Sequence, residues 1–426
     1  MAKLIIDGGR PLSGTITPSG AKNAALPIIA ASLLTTETCT IDNLPAIGDM
    51  QVILEIIAKL GSSVKGLYTD HHIEITTETI TNPTIDPFLA RKLRSSILLL
   101  GPLLIRAKEI HIPYPGGCIL GKRPIGPHFK LMEDFGATVT PTDEGFFVQG
   151  KHLHGGRIFL PEASVTVTEN ALMVASSIPE TTIICNAACE PHVQNLADFL
   201  RSMGATITGD GTNTITITGK KTLHAGKITV IPDQIEIGTW ALGAAITNGD
   251  LTIEGVIAQH LDIILYKFHE AGIRCHLEEG ENQTKLIIQR TPREELRAIN
   301  LTTNIWPGFP TDLQAPFTVL LTQANGVSLV HDWMYEGRLF YIDILSRMGA
   351  NITLCDPHRA IVYGPTPLQG NKQIESPDLR AGMALVLAGL AAEGTTVIDN
   401  IELVDRGYEN LDERLISLGA SCRRVS

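Results

Sequence analysis

Apolar positions along this chain follow two rhythms that alternate. Leu196, Phe199, Leu200 and Met203 recur at i, i+3, i+4 and i+7, and so do Leu261, Ile264, Leu265 and Phe268. Each set predicts a helix with one apolar stripe and a wet opposite face. Glycine follows directly, as it does four more times: Leu60-Gly61-Ser62, Phe135-Gly136-Ala137, Met203-Gly204-Ala205, Ala271-Gly272-Ile273, Met348-Gly349-Ala350 and Leu418-Gly419-Ala420. Glycine enters the left-handed region cheaply and so stops a helix. Beyond Gly204, Ile215 and Ile217 alternate with Thr behind Gly209-Asp210-Gly211, which predicts a hairpin.

A second helix type lies upstream in each unit. Residues Ala24 to Leu34, Ser95 to Ile105, Asn170 to Ile178, Thr239 to Ile246, Gln314 to Gln323 and Gly382 to Ala392 are apolar or small nearly all round. A helix without a polar face has to be buried. The chain is thus read as six repeats about 70 residues long, each with a core helix, a strand, a surface helix and a returning pair of strands. Three repeats can enclose their core helices, so six predict two domains, with a break near Ile231-Pro232-Asp233. A length of 426 residues also exceeds what one compact core holds.

Composition narrows the function classes. The net charge of −11 argues against a nucleic-acid backbone as partner, which calls for a basic stripe. Seven scattered cysteines without a CxxC pair argue against a disulfide framework or a zinc ribbon and fit a reducing compartment. No metal and no cofactor is expected. The first residues lack the apolar stretch of a signal peptide, and the longest apolar run, Ile97 to Ile105, is too short to span a bilayer. A cytosolic location follows as an expectation, with no membrane partner and with the oligomeric state left open. His71, His72, His152 and His154 are read as exposed strand residues.

Polar residues gather where the core helices begin: Lys22-Asn23, Arg94-Ser95, Ser164 to Thr168, Asp233 with Glu236, Thr311-Asp312, and Asp378 with Arg380. A cation at a helix start opposes the macrodipole, so Lys22, Arg94 and Arg380 are misplaced for helix stability alone. An anion in front of the helix reverses that argument, because free N–H groups there bind phosphate or carboxylate. If the core helices of each domain point one way, two domains face to face make an anion cleft. Cys118 stands in a Gly- and Pro-rich loop, Tyr114 to Pro124, beside Lys122 and Arg123. Neighbouring cations favour a thiolate, and the glycines suit a loop that closes over substrate.

With these residues assembled, the chain resembles the enolpyruvyl transferases over essentially its whole length, and within them the branch acting on UDP-N-acetylglucosamine. The resemblance rests on Ser19 to Pro27 (SGAKNAALP), Pro115-Gly-Gly-Cys118, Gly121-Lys-Arg123-Pro124, Phe309-Pro-Thr-Asp312-Leu-Gln314 and Asp405-Arg406-Gly-Tyr408-Glu409. It implies an α/β fold of two inside-out α/β barrels, with three βαβαββ repeats in each. The implied domains are 21–231, carrying the Cys118 loop, and 1–20 with 232–426. The implied reaction adds the 3′-hydroxyl of UDP-N-acetylglucosamine to C2 of phosphoenolpyruvate and then expels phosphate, the first committed step towards peptidoglycan.

By the same resemblance, Cys118 is the proton donor for C3 and the site of attachment by phosphoenolpyruvate and fosfomycin, and Asp312 is the base. Lys22, Arg123, Arg338 and Arg406 surround phosphoenolpyruvate, with Lys22 and Arg406 counted as catalytic. Asn23, Arg94, Arg123, Pro124, Ile125, Gly126, Pro127, Ser164, Val165, Asp312 and Met334 surround the nucleotide sugar. Gly126, Thr166 and Gly337 depart from the family pattern near that sugar. Two alternatives stay beside this reading: a paralogue acting on another nucleotide, and a catalytically silent nucleotide-sugar sensor.

Overall fold

The computed structural model describes residues 2–114, 116, 124–281, 283–371 and 374–425. The described residues divide into two compact units, those of 20–114, 116 and 124–231 (the unit Gly20–Ile231) and those of 2–19 with 232–425 (the unit Pro232–Ser426). Each has its own hydrophobic core, and no residue is shared between the two clusters.

All six surface helices end on a glycine with φ between +82° and +113°, at 61, 136, 204, 272, 349 and 419. The repeat read from those endings is therefore physical. Leu196, Phe199, Leu200 and Met203 are fully buried, as the stripe requires. Thr206–Thr208 and Thr214–Thr218 pair antiparallel as the expected hairpin.

The core helices run Lys22–Ala31, Leu100–Ala107, Val165–Ser176, Gln234–Ile246, Gln314–Gln323 and Leu379–Ala391. Gln314–Gln323 is buried along its whole length, polar residues included. The second departs from the continuous helix expected over Ser95–Ile105, because a 3-10 segment, Arg94–Leu99, precedes the α-helix. Pro102 lacks the N–H that a continuous α-helix would donate to the Leu98 carbonyl, but Lys22–Ala31 stays α-helical through Pro27, so the proline alone does not account for the 3-10 turns. The third begins five residues before its expected start. Thr166, Thr168 and Glu169 hid the turn from a search for apolar residues.

The second, third, fifth and sixth core helices each cross between two parallel strands of one sheet, and antiparallel strands complete it. Around the first and fourth the partners are exchanged, Cys39–Asp42 pairing parallel with Lys227–Thr229 and Leu251–Val256 with Gly14–Ile16. In the fifth repeat, Asn300–Thr302 pairs parallel with Gly326–His331, which pairs antiparallel with Arg359–Gly364. The second repeat keeps this plan with three strands and a single parallel bridge, Thr84 to His111. The last repeat borrows its third strand from the start of the chain. Lys3–Asp7 lies antiparallel between Thr395–Asp399 and Ser421–Val425.

Of the histidines expected in strands, only His72 lies in one. His71 closes a 3-10 turn at φ +57°, and His152 and His154 occupy a loop. Two adjacent polar residues at a turn mimic the edge of an alternating pattern.

Candidate functional site

In the unit Pro232–Ser426 the starts of three core helices meet. Asp312, just before the fifth, accepts from Arg338 Nη2 at 2.8 Å through Oδ1. Its Oδ2 accepts from Arg380 Nε at 3.1 Å and Nη2 at 2.9 Å. Arg380, in the first turn of the sixth, also reaches Tyr408 Oη at 3.3 Å. Tyr408 in turn meets Thr239 Oγ1 of the fourth helix at 3.0 Å. Both guanidiniums are 4% exposed. Burial works against their charge, but Asp312 outweighs it, with Asp378 and Asp332 beside Arg338 and with Tyr408 and Asp233 beside Arg380, so both are held above the ordinary guanidinium range.

Two acids cap this region from below. Asp233 caps the fourth helix, accepting from the N–H groups of Ile235 and Glu236, and burial raises its pKa while Arg380 opposes the rise. Glu236 joins Arg414, Trp240 Nε1 at 2.8 Å and the Ser19 N–H at 3.0 Å. Buried ionic groups on this scale are tolerable only because each is met from several sides. The Met334 N–H donates to Asp332 Oδ1 at 3.1 Å, and Thr311 Oγ1 donates to Asp332 Oδ2 at 2.5 Å. Arg406 lies half-buried in the turn before Tyr408.

The helix starts of the unit Gly20–Ile231 are arranged differently. Lys22 pairs with the buried Asp49 at 3.1 Å, and Asn23 follows it half-buried. Pro124, Ile125, Gly126 and Pro127 lead into the surface helix Gly126–Asp134, whose His128 is buried. His128 Nε2 is 3.1 Å from Thr166 Oγ1, and its Nδ1 is 3.1 Å from Asn170 Nδ2. Asn170 Oδ1 accepts from the Gly101 N–H at 2.9 Å and its Nδ2 donates to Ile97 O at 3.1 Å, which fixes the amide's orientation. Nδ1 of His128 is therefore an acceptor, the proton sits on Nε2, and Thr166 Oγ1 receives it. The Thr166 hydroxyl is left with its own proton to donate. Burial, seconded by the nearby Arg94, depresses His128 to about 3, so the ring is neutral at physiological pH. Ser164 stands half-buried at the N-cap position beside Val165, without a capping hydrogen bond from its side chain.

Cys118 and Arg123 lie outside the described residues. The remaining expected residues fall into two groups: Lys22, Asn23, Arg94, the run from Pro124 to Pro127, Ser164 and Val165 in one unit, and Asp312, Met334, Arg338 and Arg406 in the other. Sequence reasoning flagged Arg380 as misplaced for helix stability but did not assign it to the site. His128 and Asn170 left no signal, since a lone histidine before a helix reads as solvated. Among the described thiols, burial pushes Cys39, Cys275 and Cys422 up to about 11, which makes them poor nucleophiles.

Two α/β units of three repeats each, with charged and polar helix starts, define the enolpyruvyl transferase class. The enolpyruvyl transferase NikO from Streptomyces tendae matches with a TM-score of 0.89 at 25% identity, covering 100% of this chain and 99% of that one. EPSP synthase from Acinetobacter baumannii shares the fold, at 0.77 and 20% identity over 100% of both chains. The family model for EPSP synthase (3-phosphoshikimate 1-carboxyvinyltransferase) matches residues 6–415, and the chain belongs to that family. More specific relatives are the UDP-N-acetylglucosamine 1-carboxyvinyltransferases. That of Bradyrhizobium diazoefficiens is 44% identical, covering 99% of this chain and 97% of the relative. That of Treponema denticola is 42% identical, covering 98% of each.

Proposed function

We propose that the chain transfers the enolpyruvyl group of phosphoenolpyruvate to the 3′-hydroxyl of UDP-N-acetylglucosamine and releases phosphate. The observation that carries this reading is full-length similarity to carboxyvinyltransferases of that one specificity. The hydroxyl oxygen bonds to C2, C3 gains a proton, and a tetrahedral intermediate results. The C2–O bond to phosphate then breaks, C3 returns a proton, and the enol ether remains.

Asp312 is the proposed base. Each of its oxygens accepts from a guanidinium but keeps acceptor capacity of its own, and exchange of one guanidinium would leave an oxygen wholly available to the hydroxyl proton. A carboxylate or phosphate arriving on Arg380 or Arg338 supplies that exchange, since arginine binds either with paired N–H groups. Anion binding and base release are then one event. Lys22, Arg123 and Arg406 add positive charge where the phosphate leaves. Cys118 is the proposed proton donor to C3 and the site of fosfomycin attachment, and Asn23, Arg94, Ser164, Val165 and Met334 hold the nucleotide sugar. The product is a peptidoglycan precursor made in the cytosol. No helix among the described residues is long and apolar enough to cross a membrane.

Phosphate release from phosphoenolpyruvate, measured with a panel of UDP-sugars, tests the acceptor. Release with UDP-N-acetylglucosamine is expected. Release only with another nucleotide supports the paralogue, and release with none supports the sensor. Fosfomycin should label the wild type and leave Cys118→Ala unlabelled.

A further inference from the structure

At the opposite end of the unit Gly20–Ile231, where its three core helices finish, lies a cavity of about 500 Å³. Arg106, Lys108, Lys151, His152 and Lys221 line it, and among the described residues no acidic one does. In a chain of net charge −11 that is a local inversion of sign. Leu34, Ile105, Leu153, Ile178 and Leu223 give it apolar walls.

Helix C-termini attract cations, each end carrying roughly −0.5 charge. That need is already met. Arg106 donates to the carbonyls of Leu33 and Thr35 at 2.6 and 2.8 Å, and to those of Thr77 and Glu78 at 2.9 and 3.1 Å. The Gly150 N–H covers Lys108 O, and the Lys220 N–H covers Ser176 O. Lys151 has Glu109 at 3.5 Å. The acids nearest in sequence are occupied elsewhere: Glu37 accepts from the Ala225 N–H and Glu180 from the Gly155 N–H. Lys108 and Lys221 remain in surplus, exposed, with no ion pair or hydrogen bond to their ammonium groups among the described residues.

The other unit serves as an internal control, because it repeats the same fold. Its core helices finish at Ile246, Gln323 and Ala391, two residues past which stand Asn248, Asn325 and Glu393, and Arg290 in the loop beside the first is matched by Asp250 at 2.6 Å. Asn248 and Lys108 share the left-handed conformation at φ +54° and +66°. The turn therefore accepts asparagine, and the lysine is not demanded by the fold.

We propose that this cavity binds a small polyanion, two phosphates or one phosphate with a second anionic group, held between Lys108 and Lys221. Its volume suits a sugar phosphate rather than a macromolecule.

Calorimetric titration of the full-length protein tests this with two probes, inorganic pyrophosphate and fructose 1,6-bisphosphate. The wild type should take up pyrophosphate at two independent places. Lys108→Gln/Lys221→Gln should weaken one of them at least tenfold and leave phosphoenolpyruvate turnover unchanged. Lys22→Gln should weaken only the other, which keeps this result separable from the proposed activity. Lys108→Arg/Lys221→Arg should retain binding, excluding a folding artefact. Tighter uptake of the bisphosphate assigns the cavity to sugar phosphates, and equal uptake to phosphate anions as such. Uptake untouched by the lysine-to-glutamine pair, or abolished entirely by Lys22→Gln, overturns the proposal.

Discussion

The two units solve one architectural problem with opposite chemistry. Both gather the starts of three core helices, and both bury polar side chains there. In Pro232–Ser426 the junction is ionic, with Arg338 and Arg380 closed on Asp312 and Arg414 on Glu236. In Gly20–Ile231 it is chiefly neutral, a relay from the Gly101 N–H through Asn170 and His128 to Thr166. The ionic junction is expensive to desolvate but yields strong anion-binding groups once its internal pairs are exchanged. The neutral junction is cheap to bury and fixes donor directions instead. Repeats of one fold thus diverge at their helix ends, where backbone groups leave side chains free to differ.

The largest test breaks the ionic junction. Asp312→Ala leaves two guanidiniums at 4% exposure short of a counter-charge. It should lower unfolding stability by about 3 kcal/mol, read from the urea midpoint. Arg380→Met on that background should recover much of the loss, because it removes the stranded charge. Additive losses in the double variant would mean that the pair is not coupled.

Acid should find the neutral junction next. Between pH 6.5 and about 3 the unfolded chain binds a proton at His128 that the folded chain refuses. Stability contributed here falls as pH falls, by up to about 1.4 kcal/mol per pH unit. The arginines do not titrate in that window. Measured from pH 6.5 to 4, the unfolding free energy of His128→Gln should fall less steeply than that of the wild type. An unchanged slope would sink the assignment.

Glu169, buried in the third core helix, runs the other way. Burial, with Glu190 nearby, raises its pKa well above 4.5, and its Oε1 finds no hydrogen bond among the described residues. The folded state holds its proton more tightly than the unfolded one, so this contribution is present below pH 4.5 and is lost as pH rises. Glu169→Gln should therefore stabilise the protein at pH 8 by about 1–2 kcal/mol and leave it nearly unchanged at pH 4. A destabilised variant at both pH values would instead reveal a partner for the carboxylate.

What was legible in the sequence follows from period and punctuation. The six glycine stops carried the repeat, since a left-handed residue is a local demand that glycine meets best. Helices apolar all round were equally plain. Their first turns were not, because Thr166, Thr168 and Glu169 look like loop until burial is known. Lys22, Arg94 and Arg380 stood out as charges on the wrong end of a dipole. That Arg380 closes on Asp312, 68 positions away, is tertiary information. The direction of the proton on His128 depends on which face of Asn170 meets Gly101, and no spacing encodes that.

The smallest effect expected is also the most specific to this chain. Thr166 receives the His128 proton and keeps its own hydroxyl proton for an outward acceptor, at the start of a core helix beside Ser164 and Val165. If the nucleotide sugar's diphosphate lies there, Thr166→Val removes that donor and also the acceptor of the buried His128 Nε2–H. A stability loss of about 1–3 kcal/mol therefore accompanies the binding effect, and Thr166→Ser, which keeps the hydroxyl, should restore both. One hydrogen bond to a charged group is worth about 1.5–3 kcal/mol in favourable burial, and less at this half-exposed position. KM for the nucleotide sugar should rise about five- to tenfold, with kcat and KM for phosphoenolpyruvate nearly unchanged. A fall in kcat at constant KM would place Thr166 with the chemistry, and no change in either would mean that its hydroxyl faces only water.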